Sequence, residues 1–292
     1  MDNAVIDIRN VNKRYGAKDV LKDLTLTVPR GSVFGLLGKN GAGKTTLIKC
    51  VLGLLNTQAG QIRVLDDNPR DFQEKTKEQL GYVPQSDRVY PWFKVGQLLE
   101  YTGSFYPRWN RGLVDRLVRE WELDPRQKVG LLSEGEAQKL SIILSLGHEP
   151  ELLVFDEPVA SLDPAARRQF LKTILEIVSN RECTVFFSTH ITSDLERVAD
   201  RVALLKSGQI DFCGGLDELK DEVKRLRVRA AGPVPKELKI NGLLHYEASG
   251  NEAILCVRDF SPGTKGYFEN AWKAEVRVED LNLEEIFLEL NR

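Results

Sequence analysis

Three short runs of the chain are apolar with no alternation: Val33-Phe34-Gly35-Leu36-Leu37, Leu152-Leu153-Val154-Phe155 and Val185-Phe186-Phe187. Apolar residues along the whole run suit strands covered on both faces, as in a parallel sheet flanked by helices. Between these runs the period becomes helical. Leu47, Cys50, Val51 and Leu54 recur at i, i+3, i+4 and i+7, as do Leu171, Ile174, Leu175 and Val178, so each segment can turn one apolar stripe to a sheet. Asp163-Pro164, ahead of the second stripe, predicts an N-cap followed by proline in the first turn.

From about residue 86 to 150 strand-like runs disappear and helical segments dominate, punctuated by Pro91, Pro107 and Pro125. This reads as a helical insertion. Beyond residue 214 the pattern changes again. A charged helix is expected over Leu216 to Leu226, then alternation at Ala274, Val276 and Val278, then a closing helix with apolar positions Leu283, Ile286, Phe287 and Leu290. Asn282 and Glu285 suit the start of that last helix. The expected organisation is an α/β domain over residues 1–214 and a small α+β appendage over 215–292.

Composition narrows the classes of function. The 292 residues allow about two domains with sizeable cores, and no apolar run approaches the roughly 18 to 20 residues that cross a bilayer. With a net charge of −2 there is no global basic field, and no nucleic-acid partner is expected. Lys220, Lys224, Arg225, Arg227 and Arg229 are interspersed with Asp217, Glu218, Asp221 and Glu222, the pattern of a solvated helix face. Cys50, Cys183, Cys213 and Cys256 have neither metal-ligand nor disulfide-framework spacing. They point to a reducing cytoplasm, as does an opening Met1-Asp2-Asn3-Ala4-Val5 that lacks the pattern of a secretory signal.

Candidate chemistry begins where the first apolar run meets the first helical stripe. Gly38-Lys39-Asn40-Gly41-Ala42-Gly43-Lys44-Thr45 has the spacing of a phosphate-binding loop between strand and helix. Glycines let successive N–H groups turn inward toward phosphate oxygens, and the helix N-terminus adds partial positive charge. Lys44 can reach the β- and γ-phosphates, and Thr45 can hold Mg²⁺. The second apolar run ends in Asp156-Glu157, at the carboxyl end of a strand, where open parallel sheets bind ligands. Asp156 would hold Mg²⁺ and Glu157 would orient and deprotonate an attacking water.

Around these two features the chain carries, in order, Tyr15, the phosphate loop, Gln85 in Gly81-Tyr82-Val83-Pro84-Gln85, Leu132-Ser133-Glu134-Gly135-Glu136, Asp156-Glu157, Ser161-Leu162-Asp163 and Ser188-Thr189-His190. Over residues 4–214 this set resembles the nucleotide-binding subunits of ABC transporters. The resemblance implies an α/β fold, a P-loop NTPase core with an antiparallel β subdomain and the helical subdomain at about 86–150. ATP and Mg²⁺ would be its cofactors. Gly38, Lys39, Asn40, Gly41, Ala42, Gly43, Lys44, Thr45 and Thr46 would surround the phosphates, and Tyr15 would stack on adenine. Thr45, Gln85 and Asp156 would serve the metal, while Glu157, His190 and Gln85 would form the catalytic set.

Ser133 and Gly135 would meet the γ-phosphate held by an opposite subunit, and Asp163 would work across that interface. The implied assembly is a dimer on two Mg-ATP that drives a separate membrane permease, from a cytoplasmic position on the inner face of the membrane. The usual signature is Leu-Ser-Gly-Gly-Gln, and this chain departs from it with Glu134 and Glu136. Carboxylates beside a polyphosphate are unfavourable unless they turn away or meet basic groups. Homodimer and heterodimer with a sister subunit both stay open.

The tail Asn282-Leu283-Glu284-Glu285-Ile286-Phe287 and the stretch Phe105-Tyr106-Pro107-Arg108-Trp109 resemble drug, antibiotic and lipid exporters of the family. Trp92, Phe93, Tyr101, Phe105, Tyr106, Trp109 and Trp121 either fill the insertion's own core or offer a surface to a membrane subunit. A soluble ABC-type ATPase acting as a conformational switch is the alternative, although the chain has neither a second cassette nor a long coiled coil. No role is expected for His148 or His245.

Overall fold

The computed structural model describes residues 4–85, 90–180 and 183–292. Two compact units form, Met1–His190 with Arg197–Cys213, and Ile191–Glu196 with Gly214–Arg292. The first four positions of the predicted insertion, and Met1, Asp2 and Asn3, lie outside the described residues.

The first unit is built on two sheets. Strands β1 (Ala4–Tyr15), β2 (Lys18–Pro29) and β4 (Ala59–Val64) form an antiparallel sheet in the order β2-β1-β4. The second sheet contains β3 (Val33–Leu37), β5 (Leu80–Val83), β6 (Leu152–Asp156), β7 (Thr184–Thr189), β8 (Arg201–Lys206) and β9 (Gln209–Gly215), in the order β5-β6-β7-β3-β8-β9. Strands β5, β6, β7, β3 and β8 run parallel. Every residue of β3, β6 and β7 is buried, as expected of strands covered on both faces.

Helix α1 (Lys44–Val51) ties the two sheets into one core. Its Leu47, Ile48 and Val51 cluster with Phe34, Leu36, Val154 and Phe186 of the parallel sheet and with Ile6, Ile8, Leu24 and Leu26 of the antiparallel one. Each such fully buried side chain is worth roughly 1.5–3 kcal/mol over its exposed state. Leu54, the fourth position of the predicted stripe, lies beyond the helix and is exposed. Helix α2 (Glu74–Glu78) precedes β5. Helix α6 (Pro164–Asn180) follows β6 and sets Phe170 edge-on to Phe155 at 5.4 Å. Asp163 caps it by accepting from the N–H groups of Ala165 (2.8 Å) and Ala166 (3.0 Å).

Between β5 and β6 the named elements are helices, α3 (Val95–Gly103), α4 (Arg111–Glu120) and α5 (Glu134–Leu146). The aromatic residues of this region divide. Trp121 is buried, Trp109 lies against Gly147, where any Cβ would collide with the indole, and Tyr106 stacks on His148 at 4.1 Å. Burial holds the His148 imidazole at a pKa of about 4, so it packs as a neutral ring. Trp92 and Phe105 are instead 69% and 63% exposed, and Tyr101 bridges Phe93 and Phe105 at the surface.

Helix α7 (Thr192–Val198) begins in the second unit, followed there by α8 (Leu216–Glu222), β10 (Lys224–Arg229), β11 (Leu243–Ser249), β12 (Glu252–Val257), α9 (Pro262–Ala271), β13 (Glu275–Asp280) and α10 (Leu283–Leu290). Its antiparallel sheet has the order β11-β12-β10-β13. The expected helix from Leu216 to Leu226 is corrected here: it ends at Glu222 and the chain becomes a strand. Leu226 and Val228 point into the core, while Arg227 and Arg229 face outward to ion pairs with Glu279 and Glu252, each at 2.7 Å. Inward-facing Lys224 keeps its ammonium on Asp221 (3.2 Å) and Asp280 (2.7 Å). From Lys224 to Arg229 the basic stretch is therefore an inner strand, its outward arginines matched by carboxylates on the strands to either side.

Asn282 caps α10 with its side chain on the Glu285 N–H, and Glu285 reaches back to the Asn282 N–H. Phe268 is fully buried at the centre of this unit, edge-on to Trp272 at 4.9 Å and packed with Leu226, Val228 and Leu255. Phe268→Ala should destabilise the second unit by about 3–5 kcal/mol, read by denaturant unfolding of the full-length chain. A loss below about 1 kcal/mol, far under that range, would show that this ring does not hold the core.

Candidate phosphate and metal site

Strands β3, β6 and β7 lie in register, with Leu37 beside Thr189 and Asp156 beside Ser188. Their carboxyl ends therefore deliver the phosphate loop, the Asp156-Glu157 pair and His190 to one edge of the sheet. The loop turns sharply into α1 through Gly41 (φ +80°) and Gly43 (φ +113°), a backbone region closed to most side chains. A Cβ at Gly43 would also stand 3.1 Å from the Val20 carbonyl. The first N–H groups of α1 have no acceptor within the helix and are free to bind an anion.

Lys44 is almost fully buried, its ammonium donating to the Gly38 carbonyl at 2.7 Å and lying 3.2 Å from Glu157 Oε1. Glu157 Oε2 accepts from His190 Nδ1 at 2.8 Å and from the His190 backbone N–H at 3.3 Å. Glu157 itself has φ +52°, unusual for a residue with a side chain. Two bonds from its own N–H, to the Ser188 carbonyl (3.1 Å) and to Ser188 Oγ (3.2 Å), hold that conformation. Asp156 Oδ1 accepts from Thr45 Oγ1 (3.2 Å) and Ser188 Oγ (2.8 Å).

A cavity of about 440 Å³ opens over this cluster, lined by Lys18, Val20, Asn40, Gly41, Gly43, Lys44, Thr45, Thr46, Gln85, Glu157 and His190. That volume suits a nucleotide-sized ligand. Thr45 and Asp156 supply hard oxygen donors, and no cage of three or more His, Cys, Asp or Glu residues occurs among the described residues. A hydroxyl, one carboxylate and open positions fit Mg²⁺, which keeps waters and shares substrate phosphates.

Most of the predicted site residues are brought together here. Tyr15 stands at the end of β1, 48% exposed and outside the cavity lining, with the Lys13 ammonium 5.1 Å from its ring centre. Lys18 is its cross-strand neighbour and does line the cavity. Sequence reasoning missed Lys18, Val20 and the Ser188 hydroxyl. Ser188 was legible only as part of a motif, since its bond to Asp156 needs the register of β6 and β7.

Ser133, Gly135 and Asp163 lie outside that lining and belong to a second cluster. Ser133 caps α5, and a Cβ at Gly135 would meet the Ser161 carbonyl at 3.2 Å, so the signature start packs beside Ser161-Leu162-Asp163. Backbone N–H groups of Ala166 and Ala165 hold the Asp163 carboxyl below the ordinary aspartate range. The Ser133-x-x-Glu136 spacing is that of a capping box, a signal present in the sequence and not used there.

Comparison with known proteins decides the family. The ABC transporter family model matches residues 21–160. The Nod factor export ATP-binding protein I of Bradyrhizobium diazoefficiens is 32% identical over an alignment of 299 residues, covering 99% of this chain and 97% of that protein. The chain belongs to the ABC transporter ATP-binding proteins. The ABC transporter ATP-binding protein YtrB of Bacillus subtilis is 26% identical over 97% of both chains. Among solved structures, an ATP-binding subunit of an ABC transporter superposes with a TM-score of 0.68 at 29% identity, over 74% of this chain and 92% of that one. CbiO1 of Clostridium perfringens, part of the transporter complex cbiONQ, gives 0.64 at 26% identity, over 76% of this chain and 92% of that one.

This ABC subunit is an ATPase that binds ATP with Mg²⁺. Its fold is the P-loop NTPase fold with an antiparallel β subdomain. Lys44→Ala removes the ammonium that the structure places inside the loop beside Glu157. Losing a charged hydrogen bond to phosphate, about 1.5–3 kcal/mol, should weaken ATP binding at least about tenfold in a nucleotide titration. An unchanged Kd would reject the contact.

Proposed function

We propose that this chain closes as a dimer on two Mg-ATP molecules and uses closure and hydrolysis to drive a separate membrane permease in an exporter. The observation that carries the catalytic part is the Glu157 carboxylate held between the Lys44 ammonium at 3.2 Å and His190 Nδ1 at 2.8 Å, beside the loop. Export is supported by the near full-length likeness to the Nod factor export ATP-binding protein, which includes the C-terminal unit. The exposed Trp92, Tyr101 and Phe105 support a protein partner on the helical segment. Among the described residues no helix is long and apolar enough to cross a membrane, so the reading requires a permease for attachment.

The proposed mechanism follows from the charge chain. A γ-phosphate entering the loop competes for Lys44, which exchanges Glu157 for phosphate oxygens. Glu157 is then released from the ammonium to accept from a water, while the His190 backbone and ring keep it oriented. Water attacks the γ-phosphorus, its proton passes to a Glu157 oxygen, and the bond to the β–γ bridging oxygen breaks with its electron pair leaving on ADP. Mg²⁺, when bound, would supply positive charge against the charge that builds up on the phosphates. Thr45, Asp156 and Gln85 would hold it, and Ser188 fixes the Asp156 carboxylate for that task. Tyr15 would stack on the base, and Ser133, Gly135 and Asp163 would complete the site of the opposite subunit.

Glu157→Gln tests the assignment. ATP should still bind, steady-state hydrolysis should fall at least about tenfold, a conservative threshold against the roughly 10²–10⁴-fold that a general base contributes, and an ATP-bound dimer should persist in sedimentation. Hydrolysis unchanged within error would remove Glu157 from its role. Capture from detergent-solubilised membranes of the native cell should bring down a stoichiometric multi-span protein; recovery of soluble partners alone would overturn the permease reading.

A further inference from the structure

We infer that Glu136 restrains closure of the dimer by holding the single hydroxyl proton of Ser133, the residue proposed to meet the partner's γ-phosphate. The inference rests on the two-ATP dimer proposed above and specifies how this chain's altered signature sets its closing strength.

Ser133 and Glu136 are locked together at the start of α5. Glu136 Oε2 accepts from the Ser133 N–H at 2.8 Å and from Ser133 Oγ–H at 2.7 Å, while Ser133 Oγ accepts from the Glu136 N–H at 3.2 Å. A serine hydroxyl has one proton to donate. Here it goes to a carboxylate oxygen, and a hydrogen bond to an ionised acceptor is roughly twice as strong as one between neutral groups. Toward solvent Ser133 therefore offers only its remaining lone pair, which repels phosphate oxygens. A phosphate arriving from a second subunit must take the proton from Glu136 and approach a fixed negative charge.

Protonation does not relieve this contact near neutral pH. The Ser133 N–H, the Ser133 hydroxyl and nearby Lys139 all hold the Glu136 carboxyl below the ordinary glutamate range. Lys139 donates to the Trp121 carbonyl at 3.2 Å, and so is anchored to the helical segment. A glutamine in place of Glu136 would keep an oxygen for the Ser133 N–H and so preserve the cap. Its neutral carbonyl is a weaker competitor for the hydroxyl proton, and the charge is gone.

The test uses full-length protein carrying Glu157→Gln, so that ATP persists, with dimer dissociation measured by sedimentation at saturating Mg-ATP. Adding Glu136→Gln should tighten the dimer about tenfold, equivalent to about 1.4 kcal/mol, with Tm and ATP affinity of the monomer unchanged. In a Ser133→Ala background the same Glu136→Gln change should tighten the dimer by a clearly smaller factor, because only the charge is then removed and no hydroxyl proton is left to contest. With Glu157 restored, Glu136→Gln should lower the protein concentration giving half-maximal specific activity and leave kcat within twofold. Equal dimer affinity with and without the Glu136→Gln change overturns the restraint. An equally large gain after Ser133→Ala also overturns it, since charge alone would then account for the effect. Absence of any ATP-dependent dimer in the Glu157→Gln protein and in every variant overturns the two-ATP reading itself, and the restraint with it.

Discussion

A buried lysine and a buried carboxylate 3.2 Å apart govern the mouth of the phosphate loop. Taking both charges out of water costs several kcal/mol per ion, and their attraction offsets this only when the geometry is good and the remaining bonding positions are filled. Both conditions hold here. Lys44 has the Gly38 carbonyl as a second acceptor, and Glu157 has the ring and backbone donors of His190. Either charge left alone would be a burial penalty, so loop, strand ends and His190 are mutually dependent.

That dependence rests the site on three fully buried strands, β3, β6 and β7. The Lys44, Glu157 and His190 atoms come from three segments distant in sequence, and their spacing is set by the parallel register of β3, β6 and β7. Fully buried strands specify register strongly, because a slip misplaces every packed side chain. Helix α1 adds a second constraint by sharing one apolar core with both sheets. Loop and antiparallel sheet are thereby held together, which brings Lys18 and Val20 to the same cavity. Glu157 keeps its left-handed backbone because Ser188 accepts its N–H twice, once by carbonyl and once by hydroxyl.

Much of this was legible in advance, for reasons that differ by element. The runs that became β3, β6 and β7 are apolar because both faces are covered, and the phosphate loop is readable because its glycines answer a local backbone demand at Gly41 and Gly43. The misreading at Leu216 to Leu226 has an equally physical origin. Strand β10 places a lysine at its first inward position, with the stem buried and the ammonium on Asp221 and Asp280, and this hides the alternation that Leu226 and Val228 continue. The aromatic-rich segment could not be sorted by pattern. Trp121 went inside, Tyr106 and Trp109 are half-buried, and Trp92 and Phe105 stayed outside because of their neighbours in space, such as Gly147 under the Trp109 ring.

Short-range requirements are therefore where the amino-acid order was decisive: the turn into α1, the caps at Asp163 and Asn282, the Asp156-Glu157 pair and the motif order that marks the family. Apart from the motif order, which spans Tyr15 to His190, each involves residues a few positions apart, whose geometry the backbone dictates. Long-range requirements were settled only by folding. Pairing of Lys44 with Glu157, of Asp156 with Ser188 and of Arg227 with Glu279 joins groups 113, 32 and 52 positions apart. No local rule selects such partners, because a charge accepts any opposite charge that packing brings within reach, and here strand register does the choosing.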